Sequence, residues 1–304
     1  LRSPGSTFKL FDYTAAVKAG VKPEDFFIDK KQCWGGYCPK NFGNKYFGKV
    51  SLADALKNSL NTVAVQLLDK VGFDAVISTA RSLGISRPLG RYYPLAIGAY
   101  EQTVLEMASA YAAITNRGVY VPPTPFMSIS GADGRVIWSR QSNGARTKRA
   151  VDSDTADAMS WMLQRVVSGG TGIAAKLEDR PVAGKTGTSE GGRDLWFIGS
   201  IPQLTTAVWL GYDDNREQKG SSGDAAWAWR QYMIPIVKDM PVKEFPPKPV
   251  LNRNFKAPAG AFLPPDPDAI KNFEDLEAPP PLNEGFAPAP APAPAPDVVP
   301  MPLT

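Results

Sequence analysis

No histidine occurs among the 304 residues of this chain, and that absence removes whole classes of chemistry. A serine hydroxyl is a weak nucleophile at its own pKa and must pass its proton to a neighbouring base. The usual base is histidine, so a Ser-His-Asp triad is excluded. Cysteine is almost as scarce, with Cys33 and Cys38 the only two. Two thiols without histidine do not close a tetrahedral zinc site, so no metal and no cofactor is expected. In an oxidising compartment the pair would form a small-loop disulfide, and elsewhere two loop thiols; the spacing does not choose between them. No run approaches the ~18 apolar residues of a membrane span, and no signal peptide opens the chain. Leu1 is not a translation start, so the expectation is a fragment whose parent carried its targeting segment upstream.

Strong charge is lacking too. The chain carries a net +4, scattered rather than clustered, which argues against nucleic acid and for an anionic or carboxylate-bearing partner. Past Phe245 four Lys and Arg face seven Asp and Glu, so the basic excess belongs to residues 1–245. Residues 246–304 also turn proline-rich, and the Ala-Pro repeat from Ala287 to Pro296 favours polyproline II. The expected organisation is therefore one domain over 1–245 followed by a disordered Pro/Ala-rich tail over 246–304.

Within 1–245 the first half reads as helical. Pro4-Gly5 marks a turn, and an apolar stripe from Phe8 to Val17 runs to a stop at Gly20. Ser51 with Asp54 resembles a capping box for a first helical piece, and Val63, Val65, Leu67 and Leu68 form a second that stops at Gly72. Helical spacing follows over Asp74 to Leu83, and Thr103 with Glu106 opens another helix running to Gly118. The pattern then becomes extended: Phe126–Ile129 and Val136–Trp138 flank an Ala132-Asp133-Gly134 turn. A helix capped by Ser153 covers Asp154 to Val167. Strands are expected at Pro181–Thr188, Leu195–Ile201 and Thr205–Tyr212, then an amphipathic helix over Ala225–Asp239 kinked at Pro235. Helices first and strands last is an α+β pattern, with a late antiparallel sheet flanked by helices.

Three short segments carry chemistry-bearing side chains in chain order: Ser6-Thr7-Phe8-Lys9, Ser59-Leu60-Asn61 and Lys185-Thr186-Gly187-Thr188. Ser6 and Lys9 lie one helical turn apart and share a face. A lysine whose pKa is lowered by burial or by a second cation substitutes for histidine as a base. Each segment alone has a plainer account. Ser6 and Lys9 fit a helix cap and a solvated lysine, and Ser59 and Asn61 a helix junction. Lys185–Thr188 fits a strand end. A phosphate loop ending at Gly184-Lys185-Thr186 fails, because Asp179 stands where its first glycine belongs.

Together the three segments resemble the S-x-x-K, S-D-N and K-T-G set of the penicillin-binding protein and serine β-lactamase superfamily, with Leu60 in place of the middle Asp. Glu106–Tyr111, Asp194–Gly199 and Trp209–Asp213 extend the resemblance to the transpeptidase domain of class A (bifunctional) penicillin-binding proteins, over about residues 1–240. The resemblance implies a D,D-transpeptidase that crosslinks peptidoglycan on the periplasmic face of the cytoplasmic membrane, held there by an anchor in the parent chain. Its partners would be peptidoglycan stem peptides, with β-lactams as covalent inhibitors. Ser6 would be the nucleophile, Lys9 its base, Ser59 a proton relay, and Asn61 a hydrogen-bond partner of Lys9 or of the substrate amide. Lys185, Thr186 and Thr188 would bind the substrate carboxylate, Gly187 would leave room for the acyl-peptide, and the backbone N–H groups of Ser6 and Thr188 would form an oxyanion hole. Glu101 and Glu106 read as structural, since no Glu-x-x-Leu-Asn loop appears, and Trp196, Trp209, Trp227 and Trp229 read as core or sheet-covering residues. Two strands that the family places before the serine helix are missing, so the fragment is expected to be less stable and slow to acylate. A D,D-carboxypeptidase, or a non-catalytic β-lactam-binding or envelope scaffold module, stands as the alternative.

Overall fold

A computed structural model describes residues 1–144 and 146–257; most of the proline-rich stretch, 258–304, lies outside the described residues. The chain enters through a single 3-10 turn, Gly5–Phe8, that runs straight into helix α1, Lys9–Lys18. Every residue of α1 except Lys18 is buried, as a helix through the middle of a core must be. It packs against α3 (Asn61–Val71), α4 (Phe73–Ser82) and α7 (Ser153–Gly169).

Between α1 and α3 lies a segment that periodicity does not reveal. Strands β1 (Phe26–Asp29) and β2 (Gly48–Ser51) pair antiparallel, with Phe26 opposite Ser51 and Asp29 opposite Gly48. The loop joining them contains Cys33 and Cys38, which form a disulfide. Helix α2 (Leu52–Lys57) follows, capped by the Ser51 side chain accepting from the Asp54 N–H as its capping signal predicts. Helix α5 (Val104–Thr115) begins with the full Thr103–Glu106 capping box. Strand β3 (Val119–Tyr120) then pairs with β6 (Lys148–Arg149), and β4 (Ser128–Ser130) with β5 (Val136–Ser139), with a short α6 (Arg140–Asn143) after the hairpin. The cap of α7 is Asp152, whose carboxylate accepts from the Thr155 N–H, rather than the neighbouring Ser153.

Strands β7 (Ala183–Thr188), β8 (Asp194–Ile201) and β9 (Leu204–Gly211) form an antiparallel sheet in that order. Among the described residues the sheet has these three strands, two fewer than the resemblance implies for a whole domain. Alternation along β8 assigns its two faces. Trp196 and Ile198 join the helical core, whereas Leu195, Phe197 and Ile201 pack with α8 (Ser222–Val237). On that outer face Phe197 meets Trp229 edge-on at 5.3 Å. The tryptophans divide accordingly: Trp196 and Trp229 are fully buried, Trp209 is partly so, and Trp227 is exposed, unlike the covered residue its sequence context suggested.

The described part of the proline-rich stretch has no helix or strand, yet it is fastened to the domain. Leu251 is buried, Arg253 reaches Asp152 and the Thr155 hydroxyl, and the Lys256 N–H donates to the Ala19 carbonyl.

Candidate active site

Ser6 sits in the 3-10 turn, and its position is fixed from three directions. The Thr7 N–H and hydroxyl both turn back to the Pro4 carbonyl, at 3.2 and 2.7 Å. From α5 the buried Tyr111 hydroxyl donates to the Thr7 carbonyl at 2.8 Å, and from β8 the Trp196 indole donates to the Ser3 carbonyl at 2.8 Å. These two bonds explain what the Glu106–Tyr111 and Asp194–Gly199 segments contribute. Strand β7 closes against the same turn. A Cβ on Gly187 would lie 2.5 Å from the Pro4 carbonyl, and one on Gly5 would lie 2.3 Å from the Thr188 carbonyl. Gly5 also has φ +51°, which L side chains rarely adopt. The chain's own serine turn therefore places a steric demand on Gly187.

Lys9, three residues after Ser6, is completely buried. Its Nζ lies 3.1 Å from Ser6 Oγ, 2.6 Å from Asn61 Oδ1, 2.8 Å from the Ser59 carbonyl and 3.2 Å from Ser59 Oγ. Burial, and then the neighbouring Lys185, hold this amine well below the usual lysine range; Asp12 opposes them. Ser59 joins α2 to α3 in the left-handed conformation, φ +57°. A non-glycine residue there is strained, but the strain turns both the carbonyl and the hydroxyl of Ser59 toward Lys9. Asn61 is the first residue of α3.

From the strand side Lys185 is also fully buried, and its Nζ donates to Ser59 Oγ at 2.8 Å and to the Thr186 carbonyl at 3.1 Å. Burial pushes its pKa down to about 7. Its amine therefore points into the Ser59 cluster. Strand alternation puts Thr186 and Thr188 on the other face. Thr186 is buried with its hydroxyl 2.7 Å from that of Thr171, while Thr188 is exposed. The structure thus brings Ser6, Lys9, Ser59, Asn61 and Lys185 into one hydrogen-bonded cluster, with Gly187 and Thr188 against the serine turn.

Three features were not read from the sequence. Thr171 follows α7, and its hydroxyl meets Thr186 of β7. Asp12, one turn past Lys9, is completely buried with neither carboxyl oxygen hydrogen-bonded, and burial raises its pKa well above the carboxylate range. Asn41 accepts from the first N–H groups of α3. Glu106 is a structural residue as expected, binding Thr103 and the Ser86 N–H and hydroxyl. Among the described residues no three His, Cys, Asp or Glu side chains gather as a metal site requires, and no helix is long and apolar enough to cross a membrane.

Known proteins share this architecture. Residues 2–233 match the family described as the penicillin binding protein transpeptidase domain. Penicillin-binding protein 1A of Aquifex aeolicus is 35% identical over 272 residues, covering 84% of this chain and 36% of that protein. Penicillin-binding protein 1F of Bacillus subtilis is 36% identical over 223 residues, 70% of this chain and 30% of that one. The chain thus spans about a third of the length of these relatives. Among solved structures, PonA1 of Mycobacterium tuberculosis in complex with penicillin V superposes with a TM-score of 0.76 at 26% identity, over 88% of this chain and 76% of that one. The D,D-transpeptidase domain of a peptidoglycan glycosyltransferase from Eggerthella lenta gives 0.65 at 28% identity, over 77% and 66%. With the match extending over most of the described fold and taking in all three polar segments, the chain belongs to the penicillin-binding protein transpeptidase family.

Proposed function

We propose that this chain is a serine D,D-transpeptidase, acylated at Ser6 both by D-Ala-D-Ala stem peptides and by β-lactams, that crosslinks peptidoglycan. The observation that carries the reading is the buried Lys9 amine, held 3.1 Å from Ser6 Oγ by Ser59 and Asn61. Four oxygens surround Nζ, whereas a free amine donates two hydrogens and accepts one. The two shortest contacts, Asn61 Oδ1 and the Ser59 carbonyl, take the N–H groups. The lone pair is then left for the Ser6 hydroxyl, which is the arrangement a general base needs.

Ser6 Oγ attacks the carbonyl of the penultimate D-Ala as its proton passes to Lys9. The developing oxyanion is held by the backbone N–H groups of Ser6 and Thr188, a contribution of roughly 3 kcal/mol per donor in hydrolases. The C–N bond breaks as Ser59, which touches both lysines, relays a proton to the departing D-Ala amine. An acceptor amine then attacks the acyl-enzyme, and the same groups run in reverse. Lys185 supports Ser59 and supplies positive charge behind the strand, while the exposed Thr188 receives the substrate carboxylate; Thr186, buried against Thr171, backs the strand instead. Stem peptides lie outside the cytoplasmic membrane, and the Cys33–Cys38 disulfide supports work in that oxidising compartment.

The test is intact mass after exposure to penicillin. One adduct is expected on the native chain and none on Ser6→Ala; an adduct that survives the substitution assigns the nucleophile elsewhere.

A further inference from the structure

Asn61 can serve Lys9 only if its amide is held with the oxygen toward the amine, and that requires something beyond α3 itself. The first N–H groups of a helix have no partner within it. The residue before α3 is Leu60, which provides no side-chain cap. The missing acceptor comes from 20 residues earlier in sequence. Asn41 Oδ1 lies 2.8 Å from the Asn61 N–H and 3.3 Å from that of Thr62. Its neighbour Lys40 completes the hold, its carbonyl accepting from Asn61 Nδ2 at 2.7 Å. With the amide nitrogen engaged there, only Oδ1 is left to face Lys9.

Asn41 is itself clamped. It is 5% exposed, and its Nδ2 donates to Asp29 Oδ1 at 2.7 Å and to the Lys45 carbonyl at 3.0 Å. Asp29, 1% exposed, also accepts from the Thr62 hydroxyl and, through Oδ2, from the Phe47 N–H at 2.8 Å. The clasp thus ties the end of β1, the disulfide-bearing loop and the start of α3 into one satisfied buried network. Such networks specify a unique geometry because leaving any member unpaired is costly.

We infer that Asn41, locked by Asp29, is a positioning residue for acylation: it seats the first turn of α3 so that Asn61 presents its oxygen to the Lys9 amine. This inference rests on the proposed acylation at Ser6. The Lys9 amine faces Lys185 from β7 and Asp12 from its own helix, and Asn61 adds an acceptor that favours the charged form. Loosening Asn61 therefore lowers the amine's pKa and moves the acid limb of the acylation rate to lower pH.

The test is the acylation rate of the whole chain by a fluorescent penicillin, across pH, for Asn41→Ala, Asn61→Ala and the double variant, with Ser6→Ala in parallel. Asn41→Ala is expected to acylate about 100-fold more slowly, the loss that misplacement by about an ångström produces, with its acid limb shifted down. In the Asn61→Ala background the same change should cost no more than about 2-fold, because the two act through one contact. A parental rate in folded Asn41→Ala, an unshifted limb, or losses that simply multiply in the double variant overturns the inference and leaves the acylation reading intact. An adduct on Ser6→Ala instead sinks the acylation reading itself. Should Asn41→Ala not fold, Asn41→Gln decides. It keeps the amide but carries its oxygen one methylene away from the Asn61 N–H, so a folded Asn41→Gln is expected to acylate at least about 10-fold more slowly with its acid limb shifted down. A parental rate with an unshifted limb overturns the inference.

Discussion

The two walls of the site reach Ser59 and Lys9 by different means. The strand wall, Lys185 to Thr188, is regular: β7 runs in register with β8, Lys185 opposite Ile198 and Thr188 opposite Leu195. Its side chains are aimed by the two-residue alternation of any strand. The helical wall, Ser59 to Asn61, is irregular. It turns through a left-handed serine, begins a helix without a cap from its own N-cap residue, and borrows that cap from Asn41. The comparison shows that a site can draw on a sheet ladder for one wall while the other depends on a few long-range hydrogen bonds. The second kind is the easier to disturb, since losing one member of the network leaves its partners unpaired.

The most severe disruption is expected where the walls meet. Lys9→Ala removes the proposed base and should slow penicillin acylation by roughly 10²- to 10⁴-fold, read as adduct formation by mass; a rate near that of the parent would mean that another group takes the Ser6 proton. The strand wall is probed by Lys185→Met. Lys185 is one of the causes lowering the Lys9 pKa, so without it Lys9 holds its proton to higher pH. The acid limb of acylation should then move upward, opposite in direction to the Asn41 variant; a limb that stays or moves down would show that the two lysines do not communicate.

Smaller effects separate packing from chemistry. At Gly187 an added methyl meets the Pro4 carbonyl at 2.5 Å, so Gly187→Ala should destabilise the fold by about 1–3 kcal/mol through overpacking and slow acylation by parting β7 from the serine turn. Thermal melting with a rate measurement checks both, and an unchanged melting temperature would show that the turn yields freely. Tyr111→Phe deletes the bond to the buried Thr7 carbonyl and should cost about 1 kcal/mol in denaturant unfolding. A gain in stability would mean that the hydroxyl is held there for chemistry rather than for support.

How legible each part was follows from the range of the interactions. The α5 capping box, the Ser51 cap, the β4–β5 hairpin and the three sheet strands were visible because their causes lie within a few residues. The β1–β2 pair was not visible, since Phe26 and Ile28 remain exposed and give no clean alternation against a core. Asp12 stands within the apolar stripe from Phe8 to Val17, and only packing on every side of α1 makes it a buried acid. The contact of Gly187 with the serine turn is not legible, because a sequence does not say which backbone lies across from a strand. The cap of α7 shifted by one residue, as helix ends commonly do.

By itself the sequence determined which chemistry was available: no imidazole, a serine and a lysine one turn apart, and two more polar triplets with the residue types that acyl transfer needs. It also determined most helices and strands, because capping, periodicity and turn residues act locally. Tertiary structure alone decided that both lysines are stripped of water, that Ser59 adopts a strained turn, and that Asn41 and Asp29 reach across to hold Asn61. Desolvation and long-range hydrogen bonding depend on what surrounds a group in space, and no spacing along the chain records that.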